Sequence, residues 1–144
     1  MNVYLDASAL VSLFATDRHT PRIQDLVARS PDRVVLSEWS LAEFTSALAI
    51  GVRTTGLQPS ERDQAEATLN AWLVRQGPAI GLESGDAEAA RQLIRATLRP
   101  LRAADALHLA IVQRCGFALA SFDRRMCEAA VDLRIPVEDL SPHA

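Results

Sequence analysis

Four acidic residues, Asp6, Glu43, Asp105 and Asp123, stand where the chain passes from one expected element to the next. Asp6 directly follows the apolar run Val3-Tyr4-Leu5, and Asp123 comes just after Phe117-Ala118-Leu119-Ala120. In an open parallel sheet the carboxyl ends of the strands form the ligand crevice, so both acids project from one edge. Glu43 and Asp105 fall in the first turns of expected helices, which can aim a side chain at that same edge. Four carboxylates brought together without partners repel, and some would be protonated at neutral pH. A divalent cation removes the conflict, and an all-oxygen ligand set favours Mg²⁺ or Mn²⁺ over zinc or copper. Such an ion activates water and offsets the charge that builds on a phosphate during cleavage.

Each acid also has a structural explanation. Asp6 suits a turn. Ser40 and Glu43 have the Ser-x-x-Glu spacing of a capping box. Asp105 and Asp123, close to helix starts, oppose the helix dipole. Taken singly, none of the four demands a catalytic role; taken together they do.

The elements that must position them alternate. Strands are expected at 3–5, 33–37, 79–82, 117–120 and 135–137, the last a short edge strand. Helices are expected from Ser8 to Ala15, from Pro21 onward, from Ser40 to Ile50 with an end near Gly51, and from Pro59 to Arg75. Further helices run from Asp86 to Leu98, from Ala103 to Cys115 with Gly116 as its cap, and from Arg124 to Leu133. Strands alternating with helices imply an α/β fold, a parallel sheet with helices on both faces. No repeat, low-complexity tract or linker divides residues 1–144, so one domain is expected.

Composition narrows the chemistry. The chain has 144 residues, 49% of them apolar, and a net charge of −3, which excludes a generally basic nucleic-acid binder but not an acidic metal site. All its basic residues are arginine. The absence of lysine argues against receivers and phosphatases that place an acyl phosphate beside an ammonium group, and Ser8 breaks the D-x-D motif such phosphatases need. Cys115 and Cys127 lack zinc spacing and read as reduced thiols. His19, His108 and His143 are scattered. No run approaches a membrane span or a signal peptide, so cytoplasm is the expected location.

The motifs resemble those of a known family. Asp6-Ala7-Ser8-Ala9-Leu10 is similar to the opening D-x-S-A-L motif of PIN-domain nucleases. Asp105-Ala106-Leu107-His108-Leu109-Ala110 resembles their D-A-L-H-L-A helix, and Ser121-Phe122-Asp123 their [ST]-x-D element. Glu43 stands where the family's glutamate stands; Glu38 competes for that place, but it directly follows a strand, ahead of the expected cap at Ser40.

The resemblance implies a PIN-like fold with a five-stranded parallel sheet and Mg²⁺- or Mn²⁺-dependent RNA cleavage. By the same likeness Asp6, Glu43, Asp105 and Asp123 are the catalytic metal ligands, with Ser8 and Ser121 as supporting groups. The nearest type is the VapC toxin of bacterial toxin–antitoxin pairs, which implies a homodimer, an RNA substrate and a small inhibitory antitoxin. Other outcomes are a PIN nuclease with a non-toxin role in RNA processing or on DNA, and a non-catalytic nucleic-acid-binding module. Arg102, Arg124 and Arg125 flank two of the acids and are candidates for phosphate binding. His108 is expected to pack or hydrogen-bond rather than act as a base, and Trp39, Phe44 and Trp72 to fill cores rather than stack on bases.

Overall fold

In the computed structural model, which describes residues 1–140, three strands form the sheet: β1 (Val3–Leu5), β2 (Val34–Val35) and β3 (Ala118–Ala120). All pairings are parallel in the order β2-β1-β3, with Val3 opposite both Val34 and Ala118. β1 is central and wholly buried, which is why its sequence shows no polar alternation.

Period two along β1 divides the molecule into two cores. Val3 and Leu5 enter one cluster with Leu10 of α1 (Ala7–Phe14), Ile23 of α2 (Thr20–Arg29), Phe44 of α3 (Glu38–Thr54) and Leu69 of α4 (Pro59–Gln76). Tyr4 and Leu119 enter the other with Leu93 of α5 (Asp86–Ala96), Leu109 of α6 (Ala103–Cys115) and Met126 of α7 (Arg124–Asp132). The expected helices on both faces are therefore present. Burying each large side chain contributes about 1.5–3 kcal/mol, so both clusters resist removal of the helices that carry the acids.

The five-stranded expectation needs correction. The 79–82 and 135–137 segments contribute single parallel bridges, Ser37 with Ile80 and Leu119 with Val137, instead of strands. Pro78 and Gly81 bracket the first, and Pro136 lacks an N–H beside the second, so neither segment extends its ladder. The expected strand at 33–37 likewise shrinks to two residues, because Pro31–Arg33 closes into a 3₁₀ turn.

The start of α3 is also displaced from expectation. Ser37, not Ser40, is the N-cap, its hydroxyl accepting from the Ser40 N–H at 3.0 Å. The helix also runs through Gly51 to Thr54, and Leu57 folds back onto it so closely that a β-carbon on Gly51 would lie 3.3 Å from its side chain. Gly116 does close α6, in the left-handed conformation at φ 70°. Phe44 and Trp72 pack into the first cluster and Trp39 against the second, where its indole N–H donates to the Ala104 carbonyl at 3.1 Å. Among the described residues no helix is long and apolar enough to cross a membrane. His143 lies outside them.

Candidate active site

β1 and β3 run side by side and end together, so residues 6 and 121–123 meet at one edge of the sheet. The Asp6 N–H reaches the Ala120 carbonyl at 3.3 Å. Asp6 also caps α1, its Oδ1 accepting from the Ala9 N–H at 3.0 Å and from the Ser8 hydroxyl at 2.8 Å. Its Oδ2 accepts from the Ser121 hydroxyl at 2.6 Å. The carboxylate thus caps a helix while standing at the strand-end edge.

Ser8 and Ser121 form a clasp between the two strand ends. Ser8 Oγ accepts from the Phe122 N–H at 3.0 Å, and Ser121 Oγ from the Asp123 N–H at 2.9 Å. Asp123 in turn caps α7 through the Met126 N–H at 3.1 Å. Capping by Asp6 and Asp123 stabilises each helix start by roughly 0.5–2 kcal/mol and holds each carboxylate at the edge.

Electrostatics tie the other acids to this edge. Burial pushes the Asp105 carboxyl up, repulsion from Asp123 and Glu43 adds to the shift, and Arg102 works against it. Burial also raises Asp6, 3% exposed, against the hydrogen bonds of Ser121, Ala9 and Ser8 and the attraction of His108. Asp105, on the first turn of α6, therefore lies within the field of both Asp123 and Glu43. The cationic complement is thin, a single Arg102 Nε at 3.4 Å from Asp105 on an 82% exposed side chain.

Glu43 is placed by a buried relay that the sequence did not reveal. Freed from capping, it meets His108 Nε2 through Oε1. A carboxylate only accepts, so Nε2 carries the proton. The other ring nitrogen, Nδ1, is hydrogen-bonded to the Tyr4 hydroxyl at 2.7 Å. Tyr4 is held by Ser37 Oγ at 2.7 Å and Ser40 Oγ at 3.0 Å, and Ser40 donates to the Leu5 carbonyl at 2.8 Å. Burial raises the Tyr4 hydroxyl well above its ordinary range, so it stays a donor. Glu38 instead faces the outer edge, its Oε2 4.0 Å from where a β-carbon on Gly81 would stand.

The donor chemistry fits a divalent cation: every candidate ligand is an oxygen, and the acid-on-acid repulsion at Asp105 is opposed by one exposed arginine, Arg102. As placed, all four are engaged: Asp6 by serines, Asp123 by its cap, Glu43 by His108 and Asp105 by Arg102. Among the described residues no three acidic, histidine or cysteine side chains already form a metal-holding group.

The three arginines differ. Arg102 turns to Asp105, Arg124 pairs with Glu128 at 2.9 Å, and Arg125 is exposed without an ion pair among the described residues. Both cysteines are free and half-buried, and burial pushes the Cys127 thiol up to about 11, so it is not a nucleophile.

The PIN-domain sequence profile matches residues 3–132. Among solved structures, FitAcB from Neisseria gonorrhoeae is similar with a TM-score of 0.72 at 16% identity, covering 96% of this chain and 97% of that one. VapC20 of Mycobacterium tuberculosis, described as a sarcin–ricin loop cleaving toxin, gives 0.69 at 21% identity over 89% and 95%. VapBC2 from Rickettsia felis, bound to a promoter DNA fragment, gives 0.67 at 12% identity over 96% and 98%. At these identities the likeness shows a shared fold. No curated protein sequence matches the chain significantly.

Proposed function

The chain belongs to the PIN-domain family, and on that premise we propose that it is a Mg²⁺- or Mn²⁺-dependent endoribonuclease, the toxin of a type II toxin–antitoxin pair. The observation that carries this reading is the meeting of Asp6 and Asp123 at one sheet edge through the Ser8 and Ser121 hydrogen bonds, with Asp105 close enough for Asp123 and Glu43 to raise its carboxyl. Structural similarity to FitAB and VapBC complexes supports the toxin role and a small antitoxin partner. A homodimer and a cytoplasmic site of action belong to the same reading.

Asp6, Glu43, Asp105 and Asp123 would hold the ion, which when bound supplies a Lewis acid and an activated water. The chain's own groups do the positioning. Ser8 and Ser121 fix the Asp6 carboxylate, α7 presents Asp123 from its cap, and Tyr4 and His108 orient Glu43. Exposed Arg125 is free to meet a phosphate of the substrate.

Brief induction in a bacterial host, followed by sequencing of RNA 5′ ends, tests this reading. Growth arrest with new, site-specific ends is expected, relieved by Asp123→Asn. Undiminished growth with a folded, metal-loaded protein would remove the toxin role, and cleavage confined to DNA would remove the substrate class.

The relay makes a separate prediction. Tyr4→Phe leaves His108 Nδ1 without its donor, which costs about 1–3 kcal/mol of stability. Loss of a group that orients a metal ligand lowers metal affinity or activity about 10- to 100-fold. A metal titration of the folded variant checks it, with partial recovery at high Mn²⁺ as the signature of lost positioning.

A further inference from the structure

A second feature lies beside the acids. His19 and Phe122 stack with ring centroids 4.4 Å apart and planes 12° from parallel. They wall a cavity of about 360 Å³, open to solvent, which Ser8, Ser12, Asp17 and Ala47 also line. Ser8 faces both this cavity and Asp6, and it also holds the Phe122 N–H, so the stacked wall is fastened to the acidic edge. The His19 ring is not satisfied internally: Arg18 donates to Nε2 at 3.3 Å, and buried Nδ1 has no partner among the described residues. Buried polar atoms in a structural role normally find one, so the ring is placed by stacking.

Asp17 supplies the polar edge. Its Oδ1 accepts from the His19 N–H at 2.8 Å and its Oδ2 from the Ser12 hydroxyl at 2.9 Å. Both oxygens are thus fixed in position, and each keeps a further lone pair. Single-stranded RNA is read by aromatic stacking and by hydrogen bonds to the Watson–Crick edge. Guanine carries two adjacent donors, N1–H and N2–H, that match two carboxylate oxygens. Adenine, cytosine and uracil each set an acceptor beside their donor, which would face the carboxylate.

We infer that this cavity is a nucleobase subsite selective for guanine, seating a base near the bond to be cut, with His19 and Phe122 as the stacking wall and Asp17 as the selecting group. Arg18, beside His19, is placed to meet that nucleotide's phosphate. The inference rests on the ribonuclease reading for its biological meaning, but not for its test.

Two arms separate the two. In the first, guanosine and uridine 5′-monophosphates are titrated into the full chain and the His19 ring protons are followed by NMR. Guanosine monophosphate is expected to bind about tenfold more tightly. Asp17→Asn should erase the difference, and Phe122→Leu should weaken both nucleotides about fivefold or more. In the second, random-sequence RNA is digested and the ends sequenced, with guanine enriched at one position near the cut and the enrichment lost in Asp17→Asn. Guanine-selective binding without cleavage keeps the subsite and refutes the nuclease. Equal binding of both nucleotides by the parent, an unmoved His19, or a cleavage preference in Asp17→Asn identical to that of the parent refutes the subsite, the result expected if the cavity instead seats a protein side chain.

Discussion

Asp6→Asn is expected to lower RNA cleavage by at least a hundredfold while leaving the metal-free protein no less stable than the parent. Losing one group that stabilises transition-state charge typically reduces turnover about 10²- to 10³-fold. The stability half follows from linkage. Burial raises the folded pKa of Asp6 above that of the unfolded chain. Its contribution is therefore fully present below the unfolded value and is lost as pH rises through the folded one, so at neutral pH the ionised group opposes folding. Asparagine removes the charge yet keeps an oxygen for the Ala9 N–H, and its amide can donate to Ser121 Oγ. Thermal melts without metal should show an equal or higher Tm for the variant at pH 7, with its advantage shrinking as pH falls. A markedly lower Tm at pH 7 would mean that Asp6 is chiefly structural.

Arg114→Met should give the largest stability loss outside the site. Asp86 is 3% exposed and takes two hydrogen bonds from Arg114, at 2.8 and 3.0 Å, joining the start of α5 to the last turn of α6. Burial raises the Asp86 carboxyl, but the Arg114 and Glu83 hydrogen bonds and the guanidinium charge outweigh it, and the net shift is downward. A depressed carboxylate stabilises above its unfolded pKa and loses that contribution as pH falls through the folded value. Removing one partner of a buried pair costs about 3–5 kcal/mol, and because Arg114 is partly exposed about 2–3 kcal/mol is expected here. For a chain of this size that lowers Tm by roughly 5–10 °C at pH 7. The gap between variant and parent should narrow as pH falls below the ordinary carboxylate range toward the depressed Asp86 value, where the carboxyl takes up a proton and no longer needs its partner.

Much of this was legible in the chain itself, for identifiable reasons. β1 could be read because it is buried on both faces and so is apolar throughout, and α6 because Gly116 closes it. Asp6, Asp105 and Asp123 could be read because strand ends and helix starts place them without help from distant residues. What was lost is what depends on tertiary partners. The local pattern points to Ser40 as the cap, but Ser37 takes that place and the Ser40 hydroxyl goes to the Leu5 carbonyl. That shift frees Glu43 to meet His108, 65 positions away, whose other ring nitrogen is held by a tyrosine that reads as ordinary core. The outer strands failed for a related reason: Ile80 and Val137 sit at the right register, but proline and glycine beside them stop the ladders after one bridge.

The proposed function requires that the acids at the sheet edge act together on a divalent ion. The direct measurement is Mn²⁺ binding to the purified chain, followed by electron paramagnetic resonance, for the parent and for Asp105→Asn. Asp105 is the acid whose carboxyl is raised by burial and by two neighbouring acids at once, so its removal should weaken binding at least tenfold and abolish Mn²⁺-dependent RNA cleavage in the same preparation. Unchanged Mn²⁺ affinity in the variant, or RNA cleavage by the parent that persists in excess chelator, would contradict it.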